Sequence, residues 1–161
     1  MEQAIYAAGC FWGVQYYFDQ IPGVQNSEVG YIGGTTNNPT YESVCSHTTG
    51  HAEAVLVEFD PVQVSFETLT KHFFRLHNPT QLNRQGPDVG DNYRSAIFYT
   101  SESQKETAEK ILAESQANWQ DPIVTQIVPA DTFYPAEDYH QKFTEKTGRG
   151  ACHIPYEPLK S

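Results

Sequence analysis

Between Gln3 and Ala8 the chain has the composition of a short strand, and it runs directly into Gly9. Immediately afterwards Val14, Tyr17, Phe18 and Ile21 recur at helical spacing until Pro22-Gly23 ends the pattern. A strand, a tight turn and a helix must therefore follow one another at the start of the chain, with Cys10 at the turn. The same alternation continues. Glu28 to Ile32 reads as a strand, residues 33–40 as a Gly, Thr, Asn and Pro loop, and Ala54 to Phe59 as a strand closed by Asp60-Pro61. Ser65 can cap a helix whose apolar stripe is Phe66, Leu69, Phe73 and Leu76, stopped by Asn78-Pro79.

Residues 78–92 carry Pro79, Gly86, Pro87 and Gly90 without an apolar period, and a loop of that length inside a compact domain is usually functional or disordered. Arg94 to Tyr99 returns as a strand. Ser101 and Gln104 make a capping-box pattern for a helix that turns Ala108, Ile111, Leu112 and Trp119 inward, before a strand over Ile123 to Val128 and a last short helix over Ala136 to Lys146. From Gly148 to Ser161 no period survives, which predicts a mobile surface tail. Because some strands are consecutive while others alternate with helices, the expected class is α+β: a two-layer sandwich with a central mixed sheet flanked by helices and a long irregular C-terminal tail.

The 161 residues suit a single domain, 1–161, with 148–161 as its tail. Lys and Arg total 10 against 20 Asp and Glu, and the net charge of −10 repels phosphate backbones and anionic lipid. Nucleic-acid and membrane-surface binding are thereby disfavoured. The apolar runs are far shorter than the roughly 20 residues that span a bilayer, and no basic stretch precedes an apolar signal core, so a soluble, cytoplasmic monomer is expected. Three scattered cysteines, Cys10, Cys45 and Cys152, cannot make a disulfide scaffold.

Gly9-Cys10-Phe11-Trp12-Gly13 places a thiol where backbone N–H groups and the positive end of a helix dipole favour thiolate over thiol. Phe11 and Trp12 supply apolar walls for a small substrate group. On residue chemistry alone, a buried, inert Cys10 between core aromatics is an equally good reading, and only its place at a helix start tips the balance toward function.

The string itself is more specific. It resembles the active-site signature of the A-type peptide methionine sulfoxide reductases (MsrA), and further motifs of that family follow in family order: Gly30-Tyr31 with Gly33-Gly34, Pro39-Thr40-Tyr41-Glu42, Val44-Cys45, Gly50-His51-Ala52-Glu53, Asn83-Arg84-Gln85-Gly86, Asp88, Tyr93-Arg94-Ser95-Ala96 and Glu137-Asp138-Tyr139-His140-Gln141. The similarity runs from Ile5 to about Ile154. It implies reduction of free and protein-bound methionine-S-sulfoxide, with Cys10 as nucleophile, Glu53 as general acid and Tyr41 and Tyr93 as hydrogen-bond donors to the sulfoxide oxygen. Phe11, Trp12 and Asp88 would bind substrate.

It also implies that Cys152 resolves the Cys10 sulfenic acid to a disulfide, which thioredoxin then reduces as external reductant, with no bound cofactor and no metal. The chemistry agrees for Glu53, since a carboxyl walled by aromatics loses solvation and holds its proton. Without the resemblance, Glu53 reads as a surface charge, the two tyrosines as core filler and Asp88 as an Asx turn. Two positions depart from the family pattern: Gln15 stands where Glu is usual, and Ala151 precedes Cys152 where a tyrosine is common.

Other arrangements compete. Cys45, His47 and His51 suggest a metal site, against a reading in which Cys45 fills a strand interior and His51 orders the strand bearing Glu53. Cys10 and His140 could make a cysteine hydrolase, against a structural histidine. A thiol sensor would need Cys10 and Cys152 but not Glu53.

Overall fold

The computed structural model describes residues 2–46, 49–85, 88–142 and 146–147. Strand β1 (Glu2–Ala8) leads through Gly9, at φ +94°, into α1 (Phe11–Asp19). That backbone angle suits glycine and makes the abrupt strand-to-helix turn possible. β2 (Val24–Ile32), α2 (Tyr41–Cys45), β3 (Ala52–Phe59) and α3 (Phe66–Leu76) follow. Next come a small hairpin of β4 (Arg84–Gln85) with β5 (Asp88–Val89), then β6 (Ser95–Tyr99) and α4 (Glu102–Ser115). β7 (Gln126–Pro129) and β8 (Tyr134–Pro135) complete the regular elements.

Six strands form one sheet in the order β7-β6-β1-β3-β2-β8, antiparallel throughout except for the parallel β6-β7 pair. This is the mixed sheet and α+β architecture that the sequence predicts. Strand periodicity divides the core between two faces. Tyr6, Val29, Tyr31, Val55, Val57 and Ile97 join the larger cluster with residues of α1, α3 and α4, while Ile5, Ala7, Ile32, Ala52, Ala54 and Phe98 form a smaller one behind. Tyr6, fully buried, stacks on Phe18 and Phe73 at 5.1 and 5.2 Å and shares a 2.9 Å hydrogen bond with Thr70. Such aromatic pairs add about 0.5–1.5 kcal/mol each beyond their burial.

Register matters for the site. Tyr31 pairs with Glu53, and because Val55, Val57 and Phe59 face the helices, the two-residue alternation turns Glu53 toward α1 as well.

The expected caps form: Ser65 accepts from Thr68 N–H and Ser101 from Gln104 N–H. Four expectations are corrected. The predicted helix over Ala136 to Lys146 does not form in its first part: Asp138–His140 is a 3-10 turn and Lys142 adopts φ +57°, while residues 143–145 lie outside the described residues and Lys146 N–H bonds back to Lys142 O. Tertiary hydrogen bonds to Glu137 and Gln141 outweigh the local helical pattern there. Trp119 lies outside α4, which ends at Ser115, and the strand expected from Ile123 begins at Gln126. Cys45 ends a short helix rather than filling a strand. The predicted tail, Cys152 and His47 lie outside the described residues.

Candidate active site

Cys10 is the residue before the first turn of α1, half-buried, with no side-chain cap of its own on the helix. The first turn of α1 contains no acidic residue. A carboxylate reaches it from elsewhere: Phe11 N–H donates to Glu53 Oε1 at 3.3 Å, and Asn92 Nδ2 donates to Glu53 Oε2 at 3.3 Å. Glu53 is 1 % exposed. Burial pushes its carboxyl up to about 8, the nearby Asp88 charge adds to the rise, and the Phe11 and Asn92 donors only partly offset it. At neutral pH the group therefore holds a proton, as the sequence reading requires of a general acid.

Tyr41 opens α2, which Thr40 and Ser43 cap reciprocally: Ser43 N–H donates to the Thr40 hydroxyl oxygen at 3.1 Å and Thr40 N–H to Ser43 Oγ at 2.8 Å. Tyr93 ends a 3-10 turn over Asp91–Tyr93. Both phenols are half-buried, and burial followed by the charge of Glu53 raises both above the ordinary tyrosine range, so they remain donors. Both also hydrogen-bond with the Cys45 thiol, whose own ionisation burial disfavours. Tyr93 lies within electrostatic reach of Cys10.

The structure thus brings Cys10, Glu53, Tyr41, Tyr93 and Asp88 to one place. Phe11 is wholly buried between Tyr31 and Tyr41, at centroid distances of 5.7 and 6.3 Å, and Trp12, half-buried, stacks on Tyr41 at 6.1 Å. Trp12 presents apolar surface, and Phe11 backs it.

A second carboxyl behaves in the opposite way. Glu137 accepts from Tyr31 OH at 3.0 Å and from Tyr41 N–H at 3.1 Å. Burial opposes its ionisation, but these donors and its own backbone N–H hold the carboxyl below its usual range. One acid is kept neutral and the other ionised by environment alone. Glu137 fixes α2, and with it Tyr41.

His140, 1 % exposed, accepts from Trp12 Nε1 at 2.9 Å through Nδ1 and packs against Tyr41 at 4.4 Å. Its ring orients the Trp12 indole, which places it as a structural histidine and leaves Nδ1 unsuited to act as base on Cys10. His51 is likewise structural. Its Nδ1 accepts from Gly34 N–H at 3.0 Å and its Nε2 lies 2.7 Å from Thr36 O, tying the residue 33–40 loop to β3. A side chain on Gly34 would collide with backbone, its Cβ falling 2.3 Å from His51 N. Among the described residues no cluster of three His, Cys, Asp or Glu side chains could hold a metal ion.

Sequence reasoning assigned no role to Asn92 or Glu137. Glu137 was visible within a family motif; Asn92 carried no signal. Gln15, the departure from the family pattern, is 1 % exposed: its Nε2 donates to Ser27 O and Oγ at 3.3 and 3.2 Å, and its Oε1 accepts from Lys142 N–H at 2.7 Å. It is a two-way amide contact joining α1 to β2 and to the segment after β8.

A half-buried thiol at a helix start, a protonated carboxyl on the same helix terminus and two phenol donors define a thiol-dependent oxidoreductase of the mixed α+β type. The family model described as peptide methionine sulfoxide reductase matches residues 2–161. The peptide methionine sulfoxide reductase MsrA of Pasteurella multocida is 56 % identical over 142 residues, 88 % of this chain and 82 % of that protein. The crystal structure of Mxr1 from Saccharomyces cerevisiae in reduced form superposes with a TM-score of 0.88 at 35 % identity, covering 99 % of this chain and 92 % of the other. Mxr1 in complex with Trx2 superposes at 0.66 with 26 % identity, covering 99 % and 90 %. The chain belongs to the peptide methionine sulfoxide reductase family and is an oxidoreductase of the MsrA type.

Proposed function

We propose that the chain reduces the S epimer of methionine sulfoxide, free and in proteins, through the following assignment of residues. Cys10 thiolate attacks the sulfoxide sulfur while Glu53 delivers its proton to the oxygen, since oxide departs only when protonated. Tyr41 and Tyr93 donate hydrogen bonds to that oxygen as charge develops on it. Trp12, backed by Phe11, accommodates the methyl and thioether end, and Asp88 lies beside the substrate backbone. The oxygen leaves as water as Cys10 Sγ bonds to the substrate sulfur, and a water then attacks Cys10 Sγ and breaks that bond, so that methionine leaves with the electron pair and Cys10 remains as a sulfenic acid.

Cys152 then condenses with it, expelling water and forming a disulfide, and a thioredoxin dithiol opens that disulfide. The likeness to the Mxr1 complex with Trx2 supports thioredoxin as the partner. The tail from 148 to 161 carries Cys152 within a single catalytic domain, 1–161. No helix among the described residues is long and apolar enough to cross a membrane.

The carrying observation is Glu53, a buried carboxyl pushed up to about 8 on the helix terminus that Cys10 begins. The test is turnover of each resolved sulfoxide epimer with a thioredoxin system. Reduction of the S epimer alone is expected, and equal rates on both epimers overturn the assignment.

A further inference from the structure

Asn92 is 0 % exposed in the 3-10 turn that ends at Tyr93, and one end of its amide is committed to Glu53 Oε2. The other end, Oδ1, has no hydrogen-bond partner among the described residues. A buried acceptor left unpaired destabilises a fold, and an apolar side chain of similar size would avoid the penalty. Folding alone therefore gives no reason for an amide at this position, whereas the carboxyl it touches gives one.

We propose that Asn92 is a positioning residue for proton delivery by Glu53. Phe11 N–H and Asn92 Nδ2 each hold one carboxyl oxygen, so the plane of the group is fixed by two donors that arrive from opposite elements, α1 and the Asp91–Tyr93 turn. Each oxygen keeps a further lone pair for the proton. When that proton passes to the substrate oxygen, the negative charge left on Glu53 is received by donors already in place, so the acid gives up a proton that burial would otherwise make it retain. Because Asn92 precedes Tyr93, the same contact also fixes the backbone of one phenol donor.

The inference rests on Glu53 as general acid. The ionisable groups around that carboxyl are Tyr31 on β2, Tyr41 and Cys45 on α2, Asp88 on β5, Tyr93 on the turn and Cys10 before α1. None of these supplies the donor that Asn92 supplies to Oε2.

The test uses the reduced full chain. In the wild type, the Glu53 carboxyl carbon and the Asn92 side-chain amide are followed by NMR against pH, and their resonances should titrate with one midpoint. In Asn92→Leu the Glu53 midpoint should rise by about one pH unit or more, because a donor to the ionised form is lost. Single-turnover formation of methionine at pH 6, where Glu53 is protonated in either protein, should fall about ten- to a hundredfold, the scale of one hydrogen bond to a charged group. Asn92→Gln, which can still donate, should recover part of that rate.

An Asn92 amide that ignores the Glu53 titration overturns the proposal. So does a folded Asn92→Leu protein with an unmoved midpoint and rate. If the leucine variant fails to fold, the wild-type titration decides. Glu53→Gln run alongside separates the two ideas: full activity in that variant removes Glu53 as the acid, whereas an inactive Glu53→Gln with an indifferent Asn92 removes only the positioning role.

Discussion

The backbone N–H of Phe11 donates to Oε1 of Glu53 across 42 positions of sequence, so the N-terminus of α1 is closed by a carboxyl delivered from β3. Cys10 begins that helix. Cys10 and Glu53 therefore share one helix terminus, and the antiparallel β1-β3 register, Tyr6 against Val55, brings the end of β1 that leads into Cys10 alongside the Glu53 end of β3.

Glu53→Gln should slow the chemical step by a factor of about 10² or more at neutral pH, since the amide fills the same space but has no proton to give. In the wild type the rate should hold at neutral pH and fall as pH rises through about 8, where the carboxyl ionises. The variant's deficit should narrow toward low pH, where external acid substitutes. Single-turnover rates across pH 5 to 9 check all three, and a wild-type rate in the variant excludes the carboxyl from the step.

The same carboxyl carries a stability signature. Its folded value, about 8, lies above the ordinary 4.5, so between these limits unfolding releases a proton. The contribution is fully present below about 4.5 and is lost as pH rises through about 8. Denaturant unfolding should show Glu53→Gln losing this slope and exceeding the wild type at pH 9 by an amount on the order of a few kcal/mol.

Where local chemistry decided the outcome, the fold was legible. Ser65 and Ser101 cap the helices their positions imply, and Gly9 makes the turn its place between strand and helix demands. The mixed sheet followed from the order of strand and helix patterns. The Tyr41–Cys45 helix was missed because five residues are too few to show a period, although Thr40 and Ser43 carry its cap in plain sequence. The first part of the Ala136 to Lys146 helix failed for the converse reason: a helical pattern was present, but Glu137 and Gln141 are claimed by β2 and α2.

For the site, the motifs named Cys10, Glu53, Tyr41 and Tyr93, which the structure brings together, yet Glu137 stood in a motif without a role and Asn92 carried no signal. Asn92 and Glu137 act through geometry across long sequence separations, which no spacing rule reports.

Cys10→Ser should abolish turnover, because a hydroxyl that stays neutral is a far weaker nucleophile at sulfur than a thiolate. Any methionine formed by the purified variant would exclude Cys10 as the attacking group.

Cys152→Ser should stop thioredoxin-driven cycling yet leave one round of chemistry, with about one methionine per enzyme and Cys10 trapped as sulfenic acid. Mass analysis after sulfenate labelling reads the product. Disulfide mapping of the oxidised wild type should find Cys10 joined to Cys152. A Cys10 to Cys45 link would assign resolution to the thiol that Tyr41 and Tyr93 already contact.

The Gln15 departure yields the last expectation. Its amide donates to the Ser27 carbonyl while accepting from Lys142 N–H, and Lys142 Nζ in turn reaches Asp19 at 2.7 Å and Ser27 Oγ at 2.9 Å. A carboxylate at position 15 would keep the acceptor but lose the donor. It would set an anion against the buried Ser27 carbonyl, with Lys142 as the nearest compensation. Gln15→Glu should therefore destabilise the protein by about 1–3 kcal/mol, the scale of leaving a buried polar group unsatisfied. Lys142→Met should add less than its own loss when combined with Gln15→Glu, since both act on one network. Urea unfolding of the two single variants and the double measures this coupling. Additive losses would mean that Gln15 and Lys142 hold the segment after β8 independently, and a stable Gln15→Glu would mean that the carboxyl takes up a proton there and restores the donor.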